Sequence, residues 1–414
     1  MLSYSFANLC GAPFEGGHVQ FSADGNSLLS PVQNRLCIFD LMNSTSYTLP
    51  CESRRNIHHI CLHPDGKIAI TIDTAGNALV IHLMKGCILH RLRFKSSGAS
   101  TFRTASRLKS DTHGEVTAAA FSPDGAYFAV AVGKRLQLWE SPLPKQAWQL
   151  NLLRQLGGHI APIVSVDWSP DSQFLCTSAK DLTVRLWSAY PMKDFEPIAF
   201  VEHRSPLRGA FFSKDMHRIF SVSREGVLIS WKWEKTNEEN VTSEISVGRN
   251  IRPSRFFKDV KTVDPTNEEE SSIEDLNSKA FYSHGIWKLD TKAYCNQTKG
   301  SKVSHATFHK EKNLLVLGYT GGVFGLYECP EFNSIYSLSI GGVVDTLAIN
   351  KDGEWLAVGV GDAGQLIVWE WKSETFILKQ QGHHYGIHCL AFSPPSSHAL
   401  GQEKNGRGDI RPSS

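Results

Sequence analysis

The residues best suited to chemistry in this 414-residue chain are His159, Thr177 and Asp181. A hydroxyl, an imidazole and a carboxylate held in line can pass a proton and turn the hydroxyl into a nucleophile. The same types recur as His203, Ser221 and Glu225, and each set is followed by a tryptophan, Trp187 and Trp231. A catalytic centre has no reason to be repeated at the same spacing. The recurrence points to a repeated structural unit, and no catalytic residue is expected.

Other chemical motifs dissolve on inspection. GVGDAG (residues 359–364) has the spaced glycines of a dinucleotide loop, but it lies between two short apolar strands with no helix following to hold a pyrophosphate, so it reads as a turn. The nine cysteines are scattered singly, with no pair two residues apart, which speaks against a zinc site or a disulfide framework and for reduced thiols of an intracellular protein. The seventeen histidines show no paired ligand spacing, and neither a metal nor a cofactor is expected. Arg407-Gly408-Asp409 and the glycosylation sequons at Asn43, Asn240 and Asn296 have meaning only outside the cell. No leader peptide and no apolar run long enough to span a membrane is visible. With a net charge of +2 the molecule is not a strongly basic body that would coat nucleic acid by charge alone, so any RNA contact has to be local.

What positions the two histidine sets is a repeat. FSADG, LHPDG, FSPDG, WSPDS, FSKDM, FHKEK, INKDG and FSPPS begin at residues 21, 62, 121, 168, 212, 308, 349 and 392. Seven of these turns are followed by an alternating strand that ends on an aromatic residue or its stand-in: Phe39, His82, Trp139, Trp187, Trp231, Tyr327 and Trp369. Each unit reads as an antiparallel meander of short strands joined by Pro-Asp-Gly-type turns. One such sheet cannot bury both faces, whereas copies stacked around an axis bury each other.

A unit of this length, with Gly-His before its first strand and Trp closing its third, resembles the WD40 family. That implies an all-β fold, a seven-bladed propeller. The resemblance also implies a hydrogen-bonded network inside a blade, made here by His159, Thr177, Asp181 and Trp187, with a glutamate variant in His203, Ser221, Glu225 and Trp231.

Two places break the period. A polar loop at 95–114 stretches one interval, and a polar insertion at 235–280 lengthens another by about one repeat. Within the insertion Arg249, Arg252, Arg255, Lys258 and Lys261 fall at every third residue, a spacing that lines one face of a polyproline-II strand, with Phe256 and Phe257 beside them. This ribbon is a candidate contact for RNA or an acidic partner, against the plainer reading of a solvated linker whose basic and acidic halves attract one another.

More specific stretches, among them YSFANLCGAPFEGGHVQFSADG, ESRRNIHHICLHPDG and GEWLAVGVGDAGQLIVWEWKSETFILKQQGHHYGIHCLAFSP, resemble the periodic tryptophan protein 2 family in the same order. The resemblance implies a non-catalytic nucleolar scaffold of the UTP-B subcomplex in the small-subunit processome, with other UTP-B subunits, precursor ribosomal RNA and the U3 snoRNP as partners, acting in 18S maturation. It implies no membrane and no small-molecule substrate. A generic WD40 adaptor, such as a ubiquitin-ligase substrate receptor, is the alternative. The family architecture of two tandem propellers implies that residues 1–383 form the first, and that 384–414 hold the orphan first strand of a truncated second propeller followed by an irregular tail. Either residues 4–9 or residues 375–379 can supply the outer strand of the last blade.

Overall fold

The computed structural model describes residues 18–22, 24–41, 43, 45–94, 116–141, 151–191, 195–235, 285–295, 300–361, 363–381 and 386–394. Among these, every regular element is a strand, and the strands form seven four-stranded antiparallel sheets, each built from four consecutive strands. The sheets are the blades of a propeller, numbered 1 to 7 along the chain. Their inner strands are Gln20–Phe21, Ile57–Leu62, Val116–Phe121, Ile163–Trp168, Leu207–Phe212, Val303–His309 and Val344–Ile349.

The repeated turn between the first two strands has a local cause. In blades 1, 3 and 5 a serine hydroxyl (Ser22, Ser122, Ser213) hydrogen-bonds the aspartate two residues on and accepts the backbone N–H five residues on. The turn then needs a residue in the left-handed region, which glycine adopts without a Cβ clash: Gly125 has φ 75°. Blades 4 and 5 place Ser172 (φ 62°) and Met216 (φ 59°) there instead.

Second strands such as Ile68–Asp73, Phe174–Ala179 and Leu314–Tyr319 are buried along their whole length, because a neighbouring blade covers each face. Six apolar clusters result among the described residues, and each joins two successive blades, from Leu29 with Ile60 between blades 1 and 2 to Val316 with Val358 between blades 6 and 7.

The last blade is closed by Thr375–Gln381, which pairs with the third strand Gln365–Glu370. Of the two segments able to supply this strand, the one four residues downstream of its partner is used, since a short hairpin costs least chain entropy to close. The insertion in blade 5 falls between its third strand, Val227–Lys235, and its outer strand, Gly285–Tyr294. Lys235, expected to begin the insertion, is the last residue of that third strand and pairs with Gly285.

No apolar cluster joins blade 7 to blade 1 among the described residues. Residues 386–394, where a free inner strand of a second propeller was expected, hold no regular secondary structure and lie in this seam. Ile387 is buried, and a Cβ on Gly359 of blade 7 would come within 3.0 Å of it. On the other side Cys389 faces the Val19 carbonyl, and a Cβ on Gly25 would meet the Pro394 carbonyl oxygen at 2.6 Å. Ile387 thus stands toward Gly359 as Val344 of blade 7 stands toward Gly318 of blade 6.

Candidate functional site

In blade 4 the four chemically suggestive side chains form one chain of hydrogen bonds. His159 Nδ1 lies 2.9 Å from Asp181 Oδ2, His159 Nε2 lies 2.8 Å from Thr177 Oγ1, and the Trp187 indole N–H donates to the same Oγ1 at 2.8 Å. Asp181 also accepts from the Ile160 backbone N–H and the Thr183 hydroxyl. Burial works to raise the Asp181 carboxyl, but the hydrogen bond and charge of His159 and the donors around it hold it well below the usual carboxylate range. Burial lowers His159, with the Asp181 contact opposing.

This is the alignment of a nucleophilic triad with no room for chemistry. Thr177 is fully buried inside the sheet, and its oxygen is already occupied by the indole N–H. The arrangement pins the loop before the inner strand to the turn between the second and third strands, so it positions backbone and leaves no atom for a substrate to reach.

Blade 5 repeats half of it. His203 Nε2 lies 2.7 Å from Ser221 Oγ, which also accepts from the Trp231 indole at 3.3 Å. The expected glutamate does not take part: Glu225 is exposed, and His203 Nδ1 is buried with no partner among the described residues. Burial pushes His203 down to about 4, with Lys292 adding to the shift. The extra methylene of glutamate, in a turn whose next residue is Gly226 at φ 80°, carries the carboxylate out to water.

The loops before the inner strands and the turns between second and third strands share one face of the propeller, here termed upper. Backbone hydrogen bonds join them: Lys180 N to Pro162 O, Arg224 N to Pro206 O, Val303 N to Arg224 O and Thr320 N to Lys302 O. On this face Arg54 and Arg55 precede blade 2, Lys134 and Lys180 cap turns of blades 3 and 4, Arg204 and Arg224 flank blade 5, and Lys302 precedes blade 6, all exposed. None is in an ion pair with a described residue, although Glu225 sits beside Arg224. Arg208, lower in the same region, is held below its usual range by burial and by Arg224. The lower face, made by the Ser-x-Asp turns, mixes carboxylates such as Asp24, Asp124 and Asp215 with lysines, several of them paired, for instance Lys214 with Glu311 and Lys312 with Glu354.

Sequence reasoning missed this basic face. The signal was present in register rather than in local density, since each cation sits at the same phase of a different repeat.

A second group on the inner strands was also missed. One ring nitrogen from each of His18, His58 and His59 lies within 4.8 Å of the other two, the one such cluster of possible metal ligands among the described residues. The rings of His18 and His59 are stacked with centroids 4.6 Å apart, and those of His58 and His59 are 4.5 Å apart. His59 Nε2 donates to the Val116 carbonyl of blade 3 at 3.1 Å, and His58 Nδ1 is buried with no partner among the described residues. Burial first, then the neighbouring imidazoles, push His59 down to about 3. The basic ribbon Arg249, Arg252, Arg255, Lys258 and Lys261 lies outside the described residues.

The profile of the family described as WD domain, G-beta repeat matches residues 105–140 and 150–188. In solved structures, the chain is similar to the C-terminal WD40 domain of Sif2, with a TM-score of 0.53 at 14% identity, covering 83% of this chain and 77% of that one; the likeness concerns the fold. Among curated proteins it is 36% identical over 394 residues to the periodic tryptophan protein 2 homolog of Schizosaccharomyces pombe, covering 94% of this chain and 40% of that protein. It is 36% identical over 411 residues to periodic tryptophan protein 2 of Saccharomyces cerevisiae, covering 98% and 39%. The chain therefore spans about two fifths of the length of the relatives it matches, and over nearly all of its own length it belongs to the periodic tryptophan protein 2 family.

Proposed function

We propose that the chain is a non-catalytic propeller scaffold that works in the nucleolus as part of the small-subunit processome, within its UTP-B subcomplex, and supports maturation of 18S ribosomal RNA. Its partners in this reading are other UTP-B subunits, precursor ribosomal RNA and the U3 snoRNP. The observation that carries it is the charge arrangement: exposed cations from blades 2 to 6 converge on the upper face without ion-pair partners among the described residues. Such a face suits a phosphate backbone better than a folded protein surface, because each cation gains by releasing a condensed counterion. The occupied hydroxyl of Thr177 supports a scaffold over an enzyme. Many modest contacts on one rigid body would supply affinity through multivalent placement.

The test is to measure binding of a labelled precursor-RNA fragment across a salt series, for the parent chain and for Arg54→Glu, Arg204→Glu and Arg224→Glu combined. The expected result is weaker binding, with the slope of log K against log salt reduced by roughly 2 for single-stranded RNA. In cells, the variant is expected to lose crosslinks to precursor RNA and U3. RNA binding unchanged by the charge reversal, or recovery of a ubiquitin ligase in place of processome components, would reject the reading.

A further inference from the structure

We propose that His18, His58 and His59 bind one divalent transition-metal ion of the zinc class, clipping blade 1 to blade 2 at their inner strands. The donors come from two blades: His18 precedes the inner strand of blade 1, and His58 and His59 are the second and third residues of that of blade 2.

Adjacent residues on a regular strand point to opposite faces and cannot share an ion. Here the ladder of blade 2 skips a residue, with Ile57 opposite Asp73 and His59 opposite Ile72, so His58 is the extra residue of a bulge. A bulge re-aims side chains, and it brings the two consecutive rings to 4.5 Å.

The surroundings suit ligation. The Val116 carbonyl takes the N–H of His59 Nε2, which fixes the neutral tautomer and leaves Nδ1 with a lone pair, the usual outer support of a metal-bound histidine. His58 carries a buried Nδ1 that no described group satisfies. Imidazole donors favour zinc, copper or nickel over calcium or magnesium. With Zn–N bonds of about 2.0–2.1 Å, ligand nitrogens of a tetrahedral site lie about 3.4 Å apart. The nitrogens are within 4.8 Å now, and the exposed His18 ring can close the difference by rotating about its side-chain bonds. A water would complete the coordination.

Such a clip has a structural use. The inner strand of blade 1 pairs over only Gln20 and Phe21. An ion held jointly by His18 and the blade 2 histidines would fasten that short strand, and binding to the folded state alone stabilises it.

The experiment uses the 414-residue chain stripped of metal by a chelator. Zinc per chain is measured after equilibrium dialysis, Tm is followed with and without zinc, and cobalt is substituted to read the ligand field. The expected result is one equivalent bound with a rise in Tm, a cobalt spectrum without thiolate charge transfer, and loss of that equivalent and of the Tm rise in His18→Ala, with affinity weaker by about tenfold or more. His18 is exposed, so His18→Ala keeps the metal-free fold; His58→Ala serves as a second variant, and if it fails to fold, His18→Ala decides. The proposal is overturned if the parent chain binds no zinc, if His18→Ala retains the full metal content and Tm response, or if the cobalt spectrum is that of a thiolate site.

Discussion

Lys310 of blade 6 places its ammonium 2.8 Å from the carboxylate of Asp167 in blade 4, passing over blade 5 to do so. The same ammonium donates to the Trp168 carbonyl at 2.9 Å, and the other Asp167 oxygen accepts the Phe212 backbone N–H of blade 5 at 2.8 Å. Three blades are tied through one carboxylate. Burial pushes that carboxyl above its ordinary range, with Lys310 opposing.

Replacing Lys310 by Met leaves Asp167 without its countercharge. Both side chains keep some solvent contact, 33% and 22%, so the full penalty of a buried orphan charge does not apply. A loss of about 1–3 kcal/mol is expected in chemical denaturation, and Asp167→Asn added to Lys310→Met should recover part of it. Asp167→Asn alone completes the cycle, and single costs that simply add up to that of the double variant would show that the pair is not coupled.

Asp181 and Glu225 occupy the same place in successive repeats but differ in consequence. Asp181→Asn removes a charge-assisted acceptor from a buried network and should cost about 1–3 kcal/mol. Glu225→Gln changes an exposed group and should stay within about 0.5 kcal/mol. Thermal unfolding of the two variants side by side checks this; equal effects would mean that the geometry of blade 5 matches that of blade 4 in solution.

His203 makes stability pH-dependent. Its pKa is near 4 in the folded protein against an ordinary 6.5, so below 6.5 the unfolded chain takes up a proton that the native state refuses. Its contribution is fully present above pH 6.5 and declines as pH falls toward 4, by about 3 kcal/mol at the end of that window, treated as an upper figure. His203→Gln retains a donor for Ser221 and should narrow the gap in Tm between pH 7 and pH 5. A pH profile identical to that of the parent chain would remove His203 as a cause.

Ile387 tests the seam between blades 7 and 1. If residues 386–394 occupy the seam as described, Ile387→Ala opens a cavity against Gly359 and Thr346 and should cost about 1–3 kcal/mol. A neutral substitution, together with rapid proteolysis near residue 387, would mean that the segment leaves the seam in solution.

The repeat, and with it the propeller, was legible in the chain because it rests on short-range physics. Serine, aspartate and glycine build a turn such as that at Ser122 and Gly125 within a few residues, and a strand such as Phe174–Ala179 must be covered on both faces. The composition of the blade 4 network was legible for the same reason, since His159, Thr177, Asp181 and Trp187 lie within one repeat. Glu225 was misjudged because residue type reports charge but not side-chain reach.

What only the tertiary structure decided are relations between repeats. Lys310 and Asp167 are 143 residues apart, and neither position is unusual within its own unit. His18, His58 and His59 meet through a bulge and the junction of two blades, neither of which leaves a mark in spacing. The upper-face cations form a surface only when the ring sets equivalent loops side by side. Local hydrogen bonding writes the unit into the sequence, whereas closing a ring brings together residues whose separation in the chain carries no information about their separation in space.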